Sequence, residues 1–126
     1  MKICELPSSQ LTVMKIIWDI GRPVQLSDVY AAVREQYGDM WQYQTVSTYI
    51  RWLVKKGFLN IEQAGRVYDY TPAVSEQEYL EFVAKRMTRF WGKKTLKTVA
   101  CALRDDEELT DADIHELEEL LHGDDE

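Results

Sequence analysis

Gln44, Ser47, Thr48, Arg51 and Lys55 follow one another at steps of three, one, three and four residues. On a helix that spacing puts all five on one side. Their chemistry is that of base and phosphate recognition. A glutamine amide pairs bidentately with adenine, hydroxyls bond many base edges, and arginine pairs with guanine or with phosphate. Residues at the start of a helix docked in a major groove reach deepest, which favours Gln42, Tyr43, Gln44, Thr45 and Ser47 as base readers. Arg51, Lys55 and Lys56 then lie nearer the phosphates, as does Arg66 at the tip of a turn further on. Taken alone, such a face is also what any amphipathic helix offers to water, so the surrounding elements must decide between the two. Trp41, Trp52, Tyr68 and Tyr70 are open in the same way, to packing or to contacts with a DNA backbone.

Other chemistry is sparse. No glycine-rich phosphate loop, nucleophile elbow or metal-protease motif occurs. His115 and His122, seven apart in an acidic stretch with Glu118 and Glu119, read as surface histidines rather than as a metal pair. The closing Asp124, Asp125 and Glu126 and the paired glutamates read as a solvated acidic end. Cys4 and Cys101 stand far apart and lack the paired spacing of a zinc site, so they read as reduced thiols. The expectation is a protein that is not an enzyme and needs neither cofactor nor metal.

The elements that would position the polar face follow from periodicity. Leu11, Met14, Ile17 and Trp18 make a helical stripe, preceded by Ser8 and Ser9 as candidate caps and closed by Gly21 and Pro23. A second helix starts near Ser27, turns Val29, Ala32, Val33 and Tyr37 inward, and stops at Gly38. The third carries the polar face opposite Val46, Ile50, Leu53 and Val54 and ends at Gly57. The period then becomes two: Phe58–Glu62 and Val67–Pro72, joined through Gly65, predict a β-hairpin. Three helices and a hairpin within about 70 residues are the order of a winged helix-turn-helix domain.

From Ser75 the helical period returns, with Ser75 and Glu78 as a capping box. Tyr79, Phe82, Val83, Met87 and Phe90 form one stripe, extended by Trp91. Leu96, Val99 and Leu103 form a second, and Ile114, Leu117 and Leu121, behind Thr110 and Asp113, a third. Short helices of this kind bury little surface alone. Pairing with a second copy is the economical solution, and folding back on the first domain is the alternative. The fold class expected is mainly α with a small β-hairpin (α+β): a winged-helix DNA-binding domain over 1–74 and a helical dimerisation domain over 75–126.

The chain has 126 residues, 45% of them hydrophobic, and a net charge of -7. That acidity argues against a polyanionic partner until it is divided. Residues 1–74 hold eight basic and seven acidic side chains, and 75–126 hold seven and fifteen. The first part is therefore close to neutral, with cations from Arg51 to Lys56, and the acidity lies mostly after Arg104. No apolar run of about 18 residues predicts a membrane helix, and no signal-peptide pattern opens the chain, so no membrane insertion is expected and a cytoplasmic location follows by default.

Three segments, LTVMKIIWDIGRPVQLSDVY, TVSTYIRWLVKKGFL and RVYDYTPAVSEQEY, resemble the penicillinase-repressor family, from Leu6 to about Leu121. The resemblance implies a winged-helix domain, a helical dimerisation domain, and a homodimer that binds a palindromic double-stranded operator and represses transcription. In antibiotic-responsive members it also implies an inducing sensor protease that cleaves an Asn-Phe bond. That bond aligns with Ala102 and Leu103, of which only Leu103 keeps the family character. Members often carry Lys and Arg where Gln44 and Ser47 stand, so a different operator is expected. Copper-responsive members end in a Cys-x-Cys motif that HELEELLHGDDE lacks. The rival expectation is a winged-helix protein-interaction module that no longer binds DNA.

Overall fold

The computed structural model describes residues 3–122. The order is α1 (Ser8–Ile20), α2 (Leu26–Tyr37), a 3-10 turn (Gly38–Met40), α3 (Tyr43–Lys55), β1 (Leu59–Ala64), β2 (Val67–Pro72), α4 (Glu76–Trp91), α5 (Lys94–Asp105) and α6 (Asp111–His122). This is the expected mainly helical chain with one two-stranded antiparallel hairpin.

The boundaries come largely from local chemistry. Gly21 closes α1 with φ of 72°, a left-handed conformation that glycine adopts without a Cβ clash. α1 starts at Ser8 as expected, but its cap position falls one residue earlier. Pro7 is the cap residue, and its carbonyl accepts the Leu11 N–H at 2.9 Å, while the Ser8 carbonyl takes the Thr12 hydroxyl. A proline side chain offers no acceptor, so α1 opens without a side-chain cap from Pro7. α2 begins one residue before Ser27, where the Gln25 N–H donates to Asp28 Oδ2 at 2.9 Å. The hairpin pairs Leu59 with Pro72 through to Ala64 with Val67, so only Gly65 and Arg66 make the turn. Gly65, with φ of 69°, stands at the first central position, where a tight type II′ hairpin needs glycine.

The chain divides into two compact units, Met1–Val83 and Ala84–Glu126. In the first, Val13, Met14 and Ile17 of α1, Val29 and Val33 of α2, and Val46, Ile50 and Leu53 of α3 are buried together with Phe58. Val24 exchanges both backbone hydrogen bonds with Tyr70, at 3.0 and 2.7 Å, which ties the hairpin to the loop after α1. α4 opens inside this unit. Tyr79 is buried, its hydroxyl accepts the Leu6 N–H at 2.8 Å, and its ring lies 5.7 Å from both Trp18 and Phe58. Trp18 Nε1 donates to the Val74 carbonyl at 2.9 Å, and Lys15 pairs with Glu76. A boundary at residue 74 would cut these contacts, and the compact unit extends nine residues further.

In the second unit, no residue of α5 or α6 is buried. Thr110 and Asp113 cap α6 reciprocally, the Thr110 N–H reaching Asp113 Oδ2 at 3.0 Å. Asp124, Asp125 and Glu126 of the expected acidic end lie outside the described residues.

Candidate nucleic-acid interface

α3 is built as its sequence pattern requires. Val46, Ile50 and Leu53 fill the core, which turns Gln44, Ser47, Thr48, Arg51 and Lys55 towards solvent. Gln42 is the cap residue, and its carbonyl accepts the N–H groups of Thr45 and Val46 at 3.1 and 3.2 Å. Thr48 donates its hydroxyl to the Gln44 carbonyl at 2.9 Å and accepts from Arg51 Nη2 at 3.4 Å. The guanidinium is thus steered along the face without being neutralised by a carboxylate. Arg66 is exposed in the two-residue hairpin turn.

Lys56 departs from expectation. Its Nζ donates at 2.7 Å to Oε1 of Gln10, the polar side chain in the core of the first unit. A buried amide oxygen demands a donor, and Lys56 supplies it. Trp41 stacks on Tyr37 at 6.0 Å and meets the edge of Tyr49 at 5.6 Å. Trp52 lies 6.3 Å from Tyr49 with about half its surface open.

Tyr43 lies edge-on to Tyr30 at 5.2 Å. It also lines a surface depression of about 340 Å3 with Gln25, Leu26, Ser27, Val67, Tyr68 and Tyr70. The depression joins the start of α2, the start of α3 and the second hairpin strand. Tyr68 is half exposed there. Burial, with Tyr68 and Tyr43 nearby, raises the Tyr70 pKa above its ordinary value, so the hydroxyl stays neutral at working pH. Gln25, Leu26 and Ser27 were not among the expected site residues. The helix start there is already served by a carboxylate, because Asp28 Oδ2 accepts the Gln25 N–H at 2.9 Å. The available signal was the helix start beside Ser27, but its nearness to β2 depends on the tertiary bridge between Val24 and Tyr70.

The apolar stripes of the C-terminal helices divide between two jobs. Tyr79 and Val83 pack into the first unit's core, and the half-buried Phe82 ring lies 6.4 Å from Tyr79. Met87, Phe90, Leu96, Val99, Leu117 and Leu121 remain exposed, Phe90 to 78% and Leu96 to 71%. Leu103 and Ile114 are partly covered. The Ala102–Leu103 bond lies inside α5, and both carbonyls accept backbone N–H groups. Among the described residues no group of three metal-ligating side chains gathers, and His115 instead meets Glu119 at 3.2 Å. Both cysteines are free. No described helix is long and apolar enough to cross a membrane.

A family model for the penicillinase repressor matches residues 6–123. The chain is 36% identical over 118 residues to the 16.5 kDa protein in the ptsI 3′ region of Latilactobacillus sakei, covering 93% of this chain and 78% of that one. It is 28% identical over 120 residues to the penicillinase repressor of Bacillus licheniformis, covering 95% and 91%. The solution structure of the Bacillus licheniformis BlaI monomeric form in complex with the blaP half-operator matches with a TM-score of 0.52 and 33% identity, over 62% of this chain and 92% of that one. That likeness carries the winged-helix fold.

Proposed function

The chain belongs to the penicillinase repressor family, a family of repressors rather than enzymes, and on that premise we propose that it represses transcription as a homodimer bound to a palindromic operator. The observation that carries the DNA-binding part is the cluster of polar side chains on α3 beside the hairpin and the start of α2. Gln42, Tyr43, Gln44, Thr45 and Ser47 would read base edges. Thr48, Arg51, Lys55 and, from the hairpin turn, Arg66 would hold phosphates. The resemblance to a fold solved on a half-operator supports the same docking.

The homodimer is supported by the stripes that α5 and α6 leave open, with no buried residue on either helix. Phe90, Leu96 and Leu121 expose most of their surface, and large apolar side chains left open in series on three helices point to association. Two copies would place two α3 helices in successive major grooves about 34 Å apart. Occupancy of the operator would then exclude polymerase, and weakening the dimer would release it, because a single half-site binds poorly. An inducing protease acting at Ala102–Leu103 would first have to unwind the end of α5.

Selection of bound sequences from a random DNA library by the purified full-length protein, at about physiological salt, tests this. The expected result is an enriched two-fold symmetric motif. No enrichment from folded protein would overturn the repressor assignment and favour a protein-interaction module, which the near-neutral first 74 residues and the internal use of Lys56 make the natural rival.

A further inference from the structure

Between α1 and the first turns of α4, within the first unit, lies another depression of about 310 Å3. Its walls are mostly carbon, from Leu11 and Trp18 of α1 and from Tyr79, Leu80 and Val83 of α4. The two aromatic rings have their polar ends turned to the backbone. Trp18 Nε1 donates to the Val74 carbonyl, and the Tyr79 hydroxyl accepts the Leu6 N–H. The rings stand 5.7 Å apart, tilted by 41°, so each is fixed in place and lines the depression with π surface. Lys15 and Glu76 complete the lining. Lys15 Nζ pairs with Glu76 and, at 3.0 Å, with Asp19, so one ammonium group serves two carboxylates. The bond to Glu76 and then that to Asp19 raise the Lys15 pKa above its ordinary value, so it stays charged. Residues 76–83 add Glu78 and Glu81 and no lysine or arginine. The depression is therefore apolar and aromatic in its walls, with an excess of negative charge beside it.

We propose that this depression binds a small lipophilic cation, a molecule of one or two rings that carries an ammonium or quaternary ammonium group. The volume lies at the lower end of small-molecule sites, which span about 300–1,000 Å3. It is less than a single helical turn fills, at about 10 Å across and 5.4 Å tall, so a partner's helix does not fit. Aromatic faces attract a cation, the more so where water is displaced. The carboxylate that Lys15 leaves unbalanced supplies the counter-charge. A lipophilic anion meets the opposite balance, because the one ammonium group at the site is already shared between Asp19 and Glu76. The site has no residue in common with the polar face of α3, so it stands whether or not that face reads DNA.

Calorimetric titration of the full-length protein tests this, with (2-naphthylmethyl)trimethylammonium as the cation and 2-naphthylmethanesulfonate as its anionic counterpart. One cation should bind per chain with a Kd of about 1 mM or tighter, as a ligand of this size allows. The sulfonate should bind about tenfold more weakly or worse. In NMR spectra the cation should shift the Trp18 indole N–H and the amides of the first turns of α4. Glu76→Gln and Lys15→Gln break the same ion pair but change the local charge in opposite directions. Cation affinity should fall about threefold or more in the first and rise by about as much in the second. A purely structural role for the pair would move both the same way. Leu80→Lys, which puts a cation on the wall, should abolish binding. All three side chains are exposed, circular dichroism confirms that each variant is folded, and Asp19→Asn replaces Glu76→Gln should that one not be. Equal binding of cation and sulfonate, shifts confined to other residues, or parallel changes in the two glutamine variants would overturn the site. So would the lack of saturable binding. Cation affinity that falls as protein concentration rises would also overturn it, by giving the apolar walls to a second copy of the chain.

Discussion

Gln44 and Lys55 stand on one side of α3 but ask different things of DNA. An amide discriminates between bases, whereas an ammonium group answers to any phosphate. Gln44→Ala should relax preference at one base position by about 1–3 kcal/mol. Lys55→Ala should weaken binding to all sequences alike and reduce the salt slope by about one. Titrations on the selected operator and on a scrambled duplex across several salt concentrations separate the two, and equal effects from both changes would contradict the assigned roles. Tyr79 makes the opposite case, since its importance is internal. Tyr79→Phe leaves the Leu6 N–H without its acceptor in a buried place, at a cost of about 1–3 kcal/mol. Denaturant unfolding reads this directly, and an unchanged midpoint would mean that water replaces the hydroxyl. The α3 face was legible in the sequence because helical spacing alone groups it. The bond between Tyr79 and Leu6, 73 positions apart, and that between Lys56 and Gln10, 46 apart, follow from no local rule.

At the scale of elements, the reciprocal boxes that open α4 and α6 have a pH signature. The Glu78 carboxylate is held below its ordinary pKa first by the Ser75 backbone N–H and then by the Ser75 hydroxyl. Asp113 is lowered in the same way by Thr110. A pKa lower in the folded than in the unfolded state gives stability that is present above the unfolded value and lost as pH falls through the folded one. The stability difference between wild type and Glu78→Gln, from chemical denaturation at several pH values, should therefore be full at neutral pH. It should vanish below the ordinary carboxylate range of about 4. A difference independent of pH would show that the carboxylate charge is irrelevant to the cap. Both boxes could be read from the chain because their partners are three residues apart. The cap of α1 could not, since Pro7 takes the cap position in place of the expected serines.

For the whole molecule, the division after Val83 matters more than the expected one after residue 74. It shows which apolar residues are free to meet a partner. Tyr79 and Val83 are committed to the first unit, and Phe82 borders it. Phe90 belongs to the second unit and is largely exposed. Phe90→Asp should therefore give a folded monomer that binds an operator much more weakly, whereas an unchanged dimer mass in sedimentation would place the interface elsewhere. A fragment covering residues 1–83 should unfold cooperatively by itself, because its core is closed without the remainder. A non-cooperative transition in calorimetry would contradict that independence.

Period and local pairing determined the element order, the hairpin, the polar face of α3 and two of the helix caps, because each depends on residues within a few positions of one another. Tertiary structure alone decided that Gln25 and Ser27 join Tyr43 and Tyr68 around one depression. It also joined Lys56 to Gln10 and assigned the first turns of α4 to the first unit. Each of these depends on a contact between distant segments, and such a contact exists only once the core has closed and set the direction in which every side chain points.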